Sequence, residues 1–176
     1  MTELGHGSNV NAVETTATYD PVTEEFVFNS PTETSMKFWI GNLGKTANMA
    51  IVVAQLITKG KNRGVHMFLL RIRDRTQHQP LPGITIGDCG KKIGLDGMDN
   101  GFMIFRDHRA PREALLDRLS TVDSDGTFKS QIKSANKRFA FTMGALSGGR
   151  VIIARAFSCY GIRGLVTATR YAYVRR

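Results

Sequence analysis

The sequence predicts an α+β protein: a small antiparallel β-barrel or sandwich domain, followed by a long helix that belongs to an incomplete helical bundle. Two observations predict this class. Short apolar or β-branched runs separated by turn residues fill the first two thirds of the 176 residues. From about Asn136 the chain lacks proline and is rich in Ala, Leu, Ile and Arg, which is typical of a helix. We place a β domain at residues 1–111, and a linker with a truncated helical domain at 112–176.

The strand region contains two hairpin patterns. In the first, the turn sequence Asp20-Pro21-Val22-Thr23 is followed by Phe26 and Phe28, which are two positions apart and so lie on one face of a strand. In the second, the apolar runs at 50–57 and 65–73 flank a basic tip at 59–64. Residues 84–86 and 101–105 supply further short strands, so five or six strands with close turns predict a barrel or sandwich.

The predicted helix carries small residues at every fourth position, namely Ala140, Gly144 and Gly148. Each glycine in a helix interior costs about 1 kcal/mol relative to alanine, so this helix needs close packing against other helices. Suitable partners are not evident elsewhere in the sequence. We therefore expect the bundle to be incomplete in this chain.

Cysteine and histidine usage argues against a metal site. Cys89 and Cys159 are far apart, and the histidines at 6, 66, 78 and 108 form no paired ligand motif. We predict no metal. The sequence also shows no apolar run near the roughly 20 residues that a membrane span needs, and no leader sequence, so we predict a soluble chain.

The net charge of +9 is concentrated at one end. No carboxylate follows Asp125, whereas ten Lys and Arg residues do, which indicates an anionic neighbour for that segment. One interpretation is a basic nucleic-acid-binding module. No zinc-finger spacing or basic run interleaved with aromatic residues accompanies the charge, which disfavours that interpretation.

Two short segments carry candidate chemistry. Residues 2–9 (TELGHGSN) are polar and glycine-rich, and suit either an ordinary turn or the backbone and hydroxyl contacts of a planar polar ligand. Residues 37–46 (KFWIGNLGKT) contain the only tryptophan, Trp39, near glycines. Such a tryptophan either belongs to the core or forms a wall for a flat ring system.

These two segments together resemble the peroxisomal acyl-CoA oxidases of the acyl-CoA dehydrogenase superfamily. The similarity extends over nearly the whole chain, through residues 15–21 (TTATYDP), 57–60 (ITKG), 80–84 (PLPGI) and 99–101 (DNG). The resemblance implies the flavin-binding middle β domain and the start of the C-terminal helical domain.

The resemblance implies FAD as cofactor. It places Thr2 at the pyrimidine edge of the flavin, with Gly7 and Ser8 at the entrance shared by cofactor and acyl-CoA. It makes Trp39 and Gly41 the wall of the isoalloxazine ring, and directs Arg175 to the FAD pyrophosphate of a partner subunit. Related dehydrogenases usually carry Thr at the position of Gly41, and the missing side chain would leave space for O2.

The resemblance implies a substrate-binding set in the helical part, comprising Lys137, Arg138, Phe139, Ala140 and Arg150. Some relatives carry Arg where this chain has Ser147, which makes the substrate assignment less specific. Arg150 and Arg175 are 25 positions apart, or roughly 37 Å along a helix, so they cannot hold one small group.

The implied reaction is the α,β-desaturation of a fatty acyl-CoA to a trans-2-enoyl-CoA, with O2 reduced to hydrogen peroxide, as the first step of peroxisomal fatty acid β-oxidation. The resemblance implies a homodimer, and a peroxisomal location without a targeting signal in this chain. The general base is a Glu expected beyond residue 176, so no catalytic residue is expected here. A catalytically inactive truncated isoform is therefore an alternative.

Overall fold

The computed structural model describes residues 1–144 and 146–175. The chain divides into two compact units, Met1–Phe139 and Ala140–Arg176. The division falls within the helix α1 (Ala135–Gly144), which precedes α2 (Ser147–Val174). The strands of the first unit are β1 (Thr16–Asp20), β2 (Glu25–Asn29), β3 (Lys37–Gly41), β4 (Met49–Thr58), β5 (Lys61–Arg71), β6 (Ile84–Asp88), β7 (Asn100–Phe105), β8 (His108–Pro111), β9 (Ser120–Val122) and β10 (Phe128–Ser130).

The strands form open sheets. One sheet has the order β5-β4-β1-β2-β8, a second has the order β3-β7-β6, and β9 pairs with β10. All described pairs are antiparallel except β1 with β4, in which Thr16 lies opposite Gln55. The predicted α+β class is confirmed, but the described strands do not close into a barrel, and the parallel pair was not predicted.

Both predicted hairpins are present. In the first, β1 and β2 pair from Thr16 opposite Asn29 to Asp20 opposite Glu25, and the Asp20 carboxylate accepts the Val22 backbone N–H at 3.0 Å. The second pairs β4 with β5 up to Thr58 opposite Lys61. A side-chain oxygen that accepts a backbone N–H two residues later favours a turn, and the sequence Asp-Pro provides it here.

An aromatic cluster forms the centre of the first unit. The rings of Phe26 and Phe28 each meet Phe68 edge to face, with centroids 5.1 and 5.0 Å apart. Phe105 packs against Phe28 at 5.6 Å. All four side chains are fully buried, and aromatic pairs at such distances add to the stabilisation that burial provides. This cluster holds the two sheets that carry the candidate site.

The helical unit leaves its apolar side chains exposed. In α2 the large hydrophobic residues are exposed on all sides, including Val151, Ile152, Phe157, Ile162 and Leu165. A helix that is apolar all round is ordinarily buried among other helices. By length and composition α2 could also cross a membrane, with a mean hydropathy of 1.3 in its most apolar window. The arginines of α2 would be costly in a bilayer, so its length and hydropathy are only weak evidence for a membrane span.

Candidate functional site

The two motif segments lie side by side. The Leu4 N–H donates to the Met36 carbonyl at 2.8 Å, and the Gly5 N–H donates to Thr34 at 2.9 Å. Glu3 forms an isolated antiparallel bridge with Lys37. Next to it, the Thr2 hydroxyl donates to the Phe38 carbonyl at 2.9 Å. The N-terminal segment therefore pairs with the edge strand β3. Thr2 contacts Phe38, the residue before Trp39.

A buried ion pair fixes this arrangement. Lys37 Nζ lies 2.9 Å from Glu3 Oε1, and the two side chains are 1% and 0% exposed. Glu3 Oε1 also accepts the backbone N–H and hydroxyl of Thr15 at 3.0 and 2.6 Å, and Glu3 Oε2 accepts the Glu14 N–H at 2.7 Å. Lys37 Nζ further donates to the Val53 carbonyl at 2.6 Å. Burial of two charges is tolerable only with this degree of hydrogen bonding.

Burial and the charge of the partner side chain act in opposite directions on the pKa of each member of the ion pair. Burial alone would raise the pKa of the Glu3 carboxyl, but the Lys37 ammonium and the hydrogen bonds from Thr15 and Glu14 hold that pKa below its usual value. Burial lowers the pKa of Lys37, and the Glu3 carboxylate opposes that shift. Lys37 donates to two carbonyls as well as to Glu3, so its ammonium protons are all used. The motif thus uses Glu3 structurally.

Trp39 is turned outwards by an irregularity in β3. The pairing of β3 with β7 shifts between Lys37, opposite Met103, and Ile40, opposite Gly101. At this bulge Trp39 has a φ of 66°, in the left-handed region that a bulky side chain rarely adopts. Trp39 is 50% exposed. Backbone strain that presents a large aromatic ring to solvent points to a binding role rather than a core role.

Open space surrounds two of the predicted cofactor-binding glycines. A Cβ added to Gly41 or Gly7 would meet no atom within 4 Å. Gly41 follows Trp39 by two positions on the same strand, so a flat group can approach the backbone beside the exposed indole. The combination of an exposed ring and an adjacent uncovered backbone fits a planar cofactor.

The Asp99 carboxylate holds the loop after Gly41, a role that we did not predict from the sequence. The Asp99 carboxylate accepts the backbone N–H groups of Lys45 and Thr46 at 2.9 and 3.0 Å. Burial would raise the pKa of Asp99, but these hydrogen bonds lower it. A Cβ on Gly101 would lie 2.4 Å from the Gly44 nitrogen, so the loop and β7 approach too closely for any side chain there.

The remaining predicted site residues are distributed over both units. Gly7 and Ser8 are exposed at the end of the N-terminal segment. Lys137, Arg138 and Phe139 lie in α1 within the first unit. The second unit contains Ala140 in α1, Arg150 in α2 and Arg175 at the end of α2, and the Arg175 guanidinium lies 5.6 Å from the Tyr171 ring centroid. The structure thus brings Thr2 and the Trp39 strand together.

Sequence reasoning missed Glu3, Lys37 and Asp99 as supports of the site. A lysine between Met36 and Phe38, in an otherwise apolar strand, was the available signal for a buried charge that needs a partner. The signal did not identify Glu3 as that partner, because the pairing joins positions 34 residues apart.

One potential metal-ligand group occurs in the described part of the chain. Glu3, His6 and Glu14 each place a ligand atom within 4.8 Å of the others. Glu3 is already neutralised by Lys37 and accepts several hydrogen bonds, so its carboxylate is occupied. The expectation of no metal stays a prediction.

Comparison with known proteins gives consistent results. The family model for the acyl-CoA dehydrogenase middle domain matches residues 1–108. A putative peroxisomal acyl-coenzyme A oxidase 3.2 of Arabidopsis thaliana is 47% identical over all of this chain, which spans 26% of that protein. The solved Arabidopsis acyl-CoA oxidase 1 aligns with a TM-score of 0.73 and 50% identity, over 74% of this chain and 20% of the other.

A further solved structure is described with ligands. It is an acyl-CoA oxidase-1 of Caenorhabditis elegans complexed with FAD and ATP, with a TM-score of 0.70 and 52% identity, over 73% of this chain and 20% of that one. The chain thus spans about a quarter or less of the length of these relatives. The family match covers both Thr2 and Trp39, and the chain therefore belongs to the acyl-CoA dehydrogenase middle-domain family, with peroxisomal acyl-CoA oxidases among its relatives.

Proposed function

We propose that this chain is the flavin-holding part of an FAD-dependent acyl-CoA oxidase. The proposed reaction of the whole protein is the desaturation of a fatty acyl-CoA to a trans-2-enoyl-CoA, with O2 as the acceptor and hydrogen peroxide as product. The observation that carries the proposal is the exposed Trp39 indole, held in a left-handed conformation beside the Thr2 segment. The names of the relatives support it, and favour a peroxisomal location.

The residues of the site fit FAD. Trp39 offers a flat apolar face of the kind that packs against a ring system, and the backbone at Gly41 is open next to it. Thr2 would contact the pyrimidine edge of the ring, since the Thr2 segment is fixed against β3, and Gly7 and Ser8 would lie beside it at the entrance shared by cofactor and acyl-CoA. When bound, FAD supplies the electron acceptor for the oxidation of the acyl chain.

The chain contributes positioning rather than proton transfer. The Glu3–Lys37 ion pair holds the N-terminal segment against β3, and the hydrogen bonds of Asp99 hold the loop that follows Gly41. A desaturation also needs a base for the α proton of the substrate. Glu3 is committed to Lys37. The resemblance implies a Glu beyond residue 176 as the base, so we propose that the base is supplied from outside this chain, and that the isolated chain does not turn over acyl-CoA.

The helical residues are proposed to serve substrate and partner. Lys137, Arg138, Phe139, Ala140 and Arg150 would line the acyl-CoA site, and Arg175 would reach the cofactor of a second subunit in a homodimer. The exposed apolar surface of α2 supports packing against further helices. We propose the domain division at Pro111, with the region after it leading into the helical domain.

The test is flavin binding by the 176-residue chain. FAD added to the chain should co-elute with it in gel filtration and show the absorbance of bound flavin, and Thr2→Ala should weaken this binding. Thr18→Ala, a matched change on the exposed side of β1, should leave it unchanged. Equal binding by both variants would contradict the assignment of Thr2, and absence of any flavin binding would contradict the function.

The nucleic-acid alternative is tested by titrating the same chain with DNA at increasing salt concentrations. A basic module would bind DNA with an affinity that falls steeply with salt. The positive charge of the first unit is partly paired, for example Lys129 with Asp123 at 2.6 Å and Lys59 with Asp125 at 3.0 Å. We therefore expect DNA binding to be weak and lost at physiological salt. Peroxide production from acyl-CoA by the chain alone would overturn our placement of the base.

A further inference from the structure

Asn100 is a buried polar residue beside the candidate site, and the flavin proposal gives it no role. It is the first residue of β7 and is only 5% exposed. A buried carboxamide costs free energy unless it is hydrogen-bonded, so its partner indicates what the residue does. The Asn100 Nδ2 donates to the backbone carbonyl of Trp39, with 3.4 Å between nitrogen and oxygen.

The Trp39 carbonyl lies in the bulge of β3. Across this bulge, Phe38 and Trp39 of β3 lie opposite the single residue Phe102 of β7. The extra residue at a bulge is left without its regular partner on the neighbouring strand. Backbone groups at this point therefore need hydrogen-bond partners from elsewhere in the fold.

Two side chains supply donors to the carbonyls of the bulge. The Thr2 hydroxyl donates to the Phe38 carbonyl at 2.9 Å, and the Asn100 carboxamide donates to the Trp39 carbonyl. Thr2 comes from the N-terminal segment and Asn100 from β7, so the bulge is held from two directions. Asn100 is nearly inaccessible to solvent, so it acts on the site through the backbone of Trp39.

The backbone of Trp39 needs such support. Its φ of 66° lies in the left-handed region, which is unfavourable for a bulky side chain. A conformation of this kind persists only where the surrounding structure holds it. Without its donor, the Trp39 carbonyl would be free to turn, and the residue could return to an extended conformation.

Asn100 is itself held firmly on both sides. Its own carbonyl accepts the Cys89 N–H at 2.9 Å, and the carbonyl of the preceding Asp99 accepts the Asn42 N–H at 2.6 Å. The next residue, Gly101, approaches the backbone of Gly44 too closely for a side chain. The carboxamide therefore extends from a fixed backbone, and its donor has a defined position.

We propose that Asn100 is a positioning residue for the flavin site: its carboxamide holds the Trp39 backbone in the left-handed conformation and so presents the indole before the cofactor binds. This inference rests on the proposed function, in which Trp39 is a wall of the flavin site. A ligand that binds only one conformation loses apparent affinity in proportion to the fraction of the protein that adopts it. Loss of the Asn100 donor should therefore weaken FAD binding without removing any contact to FAD.

NMR of the 176-residue chain without FAD measures the conformation of Trp39. At a φ of 66° the amide and α protons of one residue lie close together and give a strong nuclear Overhauser effect, which is weak in an extended strand. The unaltered chain should show the strong effect at Trp39. Asn100→Ala should weaken it, whereas a residue that only stabilised the fold would change the urea midpoint and leave this signal as it is.

Two further variants make the test specific. Asn100→Thr also lacks the carboxamide but keeps a residue that favours strands, so it decides the question if Asn100→Ala folds poorly. Asn29→Ala is the matched control, because the Asn29 carboxamide in β2 donates to Asp107 at 2.9 Å and not to β3. The control should retain the strong effect at Trp39.

Calorimetric titration with FAD measures the consequence for binding. Asn100→Ala and Asn100→Thr should each raise the dissociation constant about two- to fivefold, as expected for the loss of one long hydrogen bond between neutral groups. Asn29→Ala should bind FAD as the unaltered chain does.

The proposal is overturned if Trp39 keeps the strong effect in both Asn100 variants. It is equally overturned if the effect weakens and both variants still bind FAD as tightly as the Asn29→Ala control. If the unaltered chain binds no FAD, the proposed function fails, and the NMR measurement still decides whether Asn100 holds Trp39.

Discussion

Replacing Lys37 by methionine tests whether the buried ion pair holds the site together. Methionine keeps the apolar stem and removes the ammonium, so Glu3 keeps its charge without its partner. The side chains of Lys37 and Glu3 are only 1% and 0% exposed. Breaking one partner of a buried pair costs about 3–5 kcal/mol, a large share of the roughly 5–15 kcal/mol that stabilises an ordinary domain.

The assay is urea unfolding of the first unit, followed by the fluorescence of Trp39, which lies two residues from the ion pair. Lys129→Met is the matched control, because Lys129 pairs with Asp123 at the exposed surface. The control should unfold close to the unaltered chain. The double variant Glu3→Gln with Lys37→Met should lose less than the sum of the two single losses, with a coupling of about 1–3 kcal/mol. A loss below about 1 kcal/mol for Lys37→Met, which is the range of exposed pairs, would refute the reasoning.

Three further predictions follow from the packing and the charges. Gly101→Ala should destabilise the first unit by about 1–3 kcal/mol in urea unfolding, because its Cβ would lie 2.4 Å from the backbone nitrogen of Gly44. Gly41→Ala is the control and should leave the stability nearly unchanged, since its Cβ would meet nothing within 4 Å. Equal losses of stability in the two variants would contradict the close approach at Gly101. Folding lowers the pKa of Glu3, so its carboxylate contributes fully to the free energy of unfolding above the ordinary pKa of 4.5, and this contribution is lost as the pH falls through the folded pKa. Glu3→Gln should therefore reduce the loss of stability in acid, and a free energy of unfolding that depends on pH as in the unaltered chain would contradict this prediction. Phe28→Ala should cost about 3–5 kcal/mol, measured in the same way, and a loss near 1 kcal/mol would show that Phe28 is not at the centre of the core.

The hairpins were predictable because their signals are local. Phe26 and Phe28 alternate along β2, and the turn residues from Asp20 onwards fix the connection, so pattern and turn chemistry agree. The short strands β8 to β10 carry few residues each and were not predicted, because three- or four-residue strands show almost no periodicity. The parallel pairing of β1 with β4 joins segments distant in sequence, and no local pattern specifies it.

The site was predicted in part. Thr2, Trp39 and Gly41 were assigned through the resemblance, and these assignments stay predictions. The structure adds the reason that Trp39 is exposed: the bulge in β3 and the left-handed backbone at that residue. A bulge depends on how β3 pairs with β7, so the sequence of β3 alone does not predict it.

The helical part shows the same limit. The composition from Asn136 onwards predicted one long helix, and the structure describes α1 and α2. The small residues Gly144 and Gly148 were expected to mark a tight helix contact, and a Cβ added to either would meet nothing within 4 Å. Helix packing depends on contacts between segments that are distant in sequence, and the composition of one helix does not specify those contacts.

The central claim, that Trp39 forms a wall of the flavin site, is tested most directly by tryptophan fluorescence. Trp39 is the only tryptophan of the chain and is half exposed, so its emission reports on this surface alone. Titration of the 176-residue chain with FAD should quench this emission saturably. Gly41→Phe, which places a ring in the open space beside the indole, should shift the titration to higher FAD concentrations. Emission that falls only in proportion to the light absorbed by free FAD, without saturation and equally in both proteins, would contradict the claim.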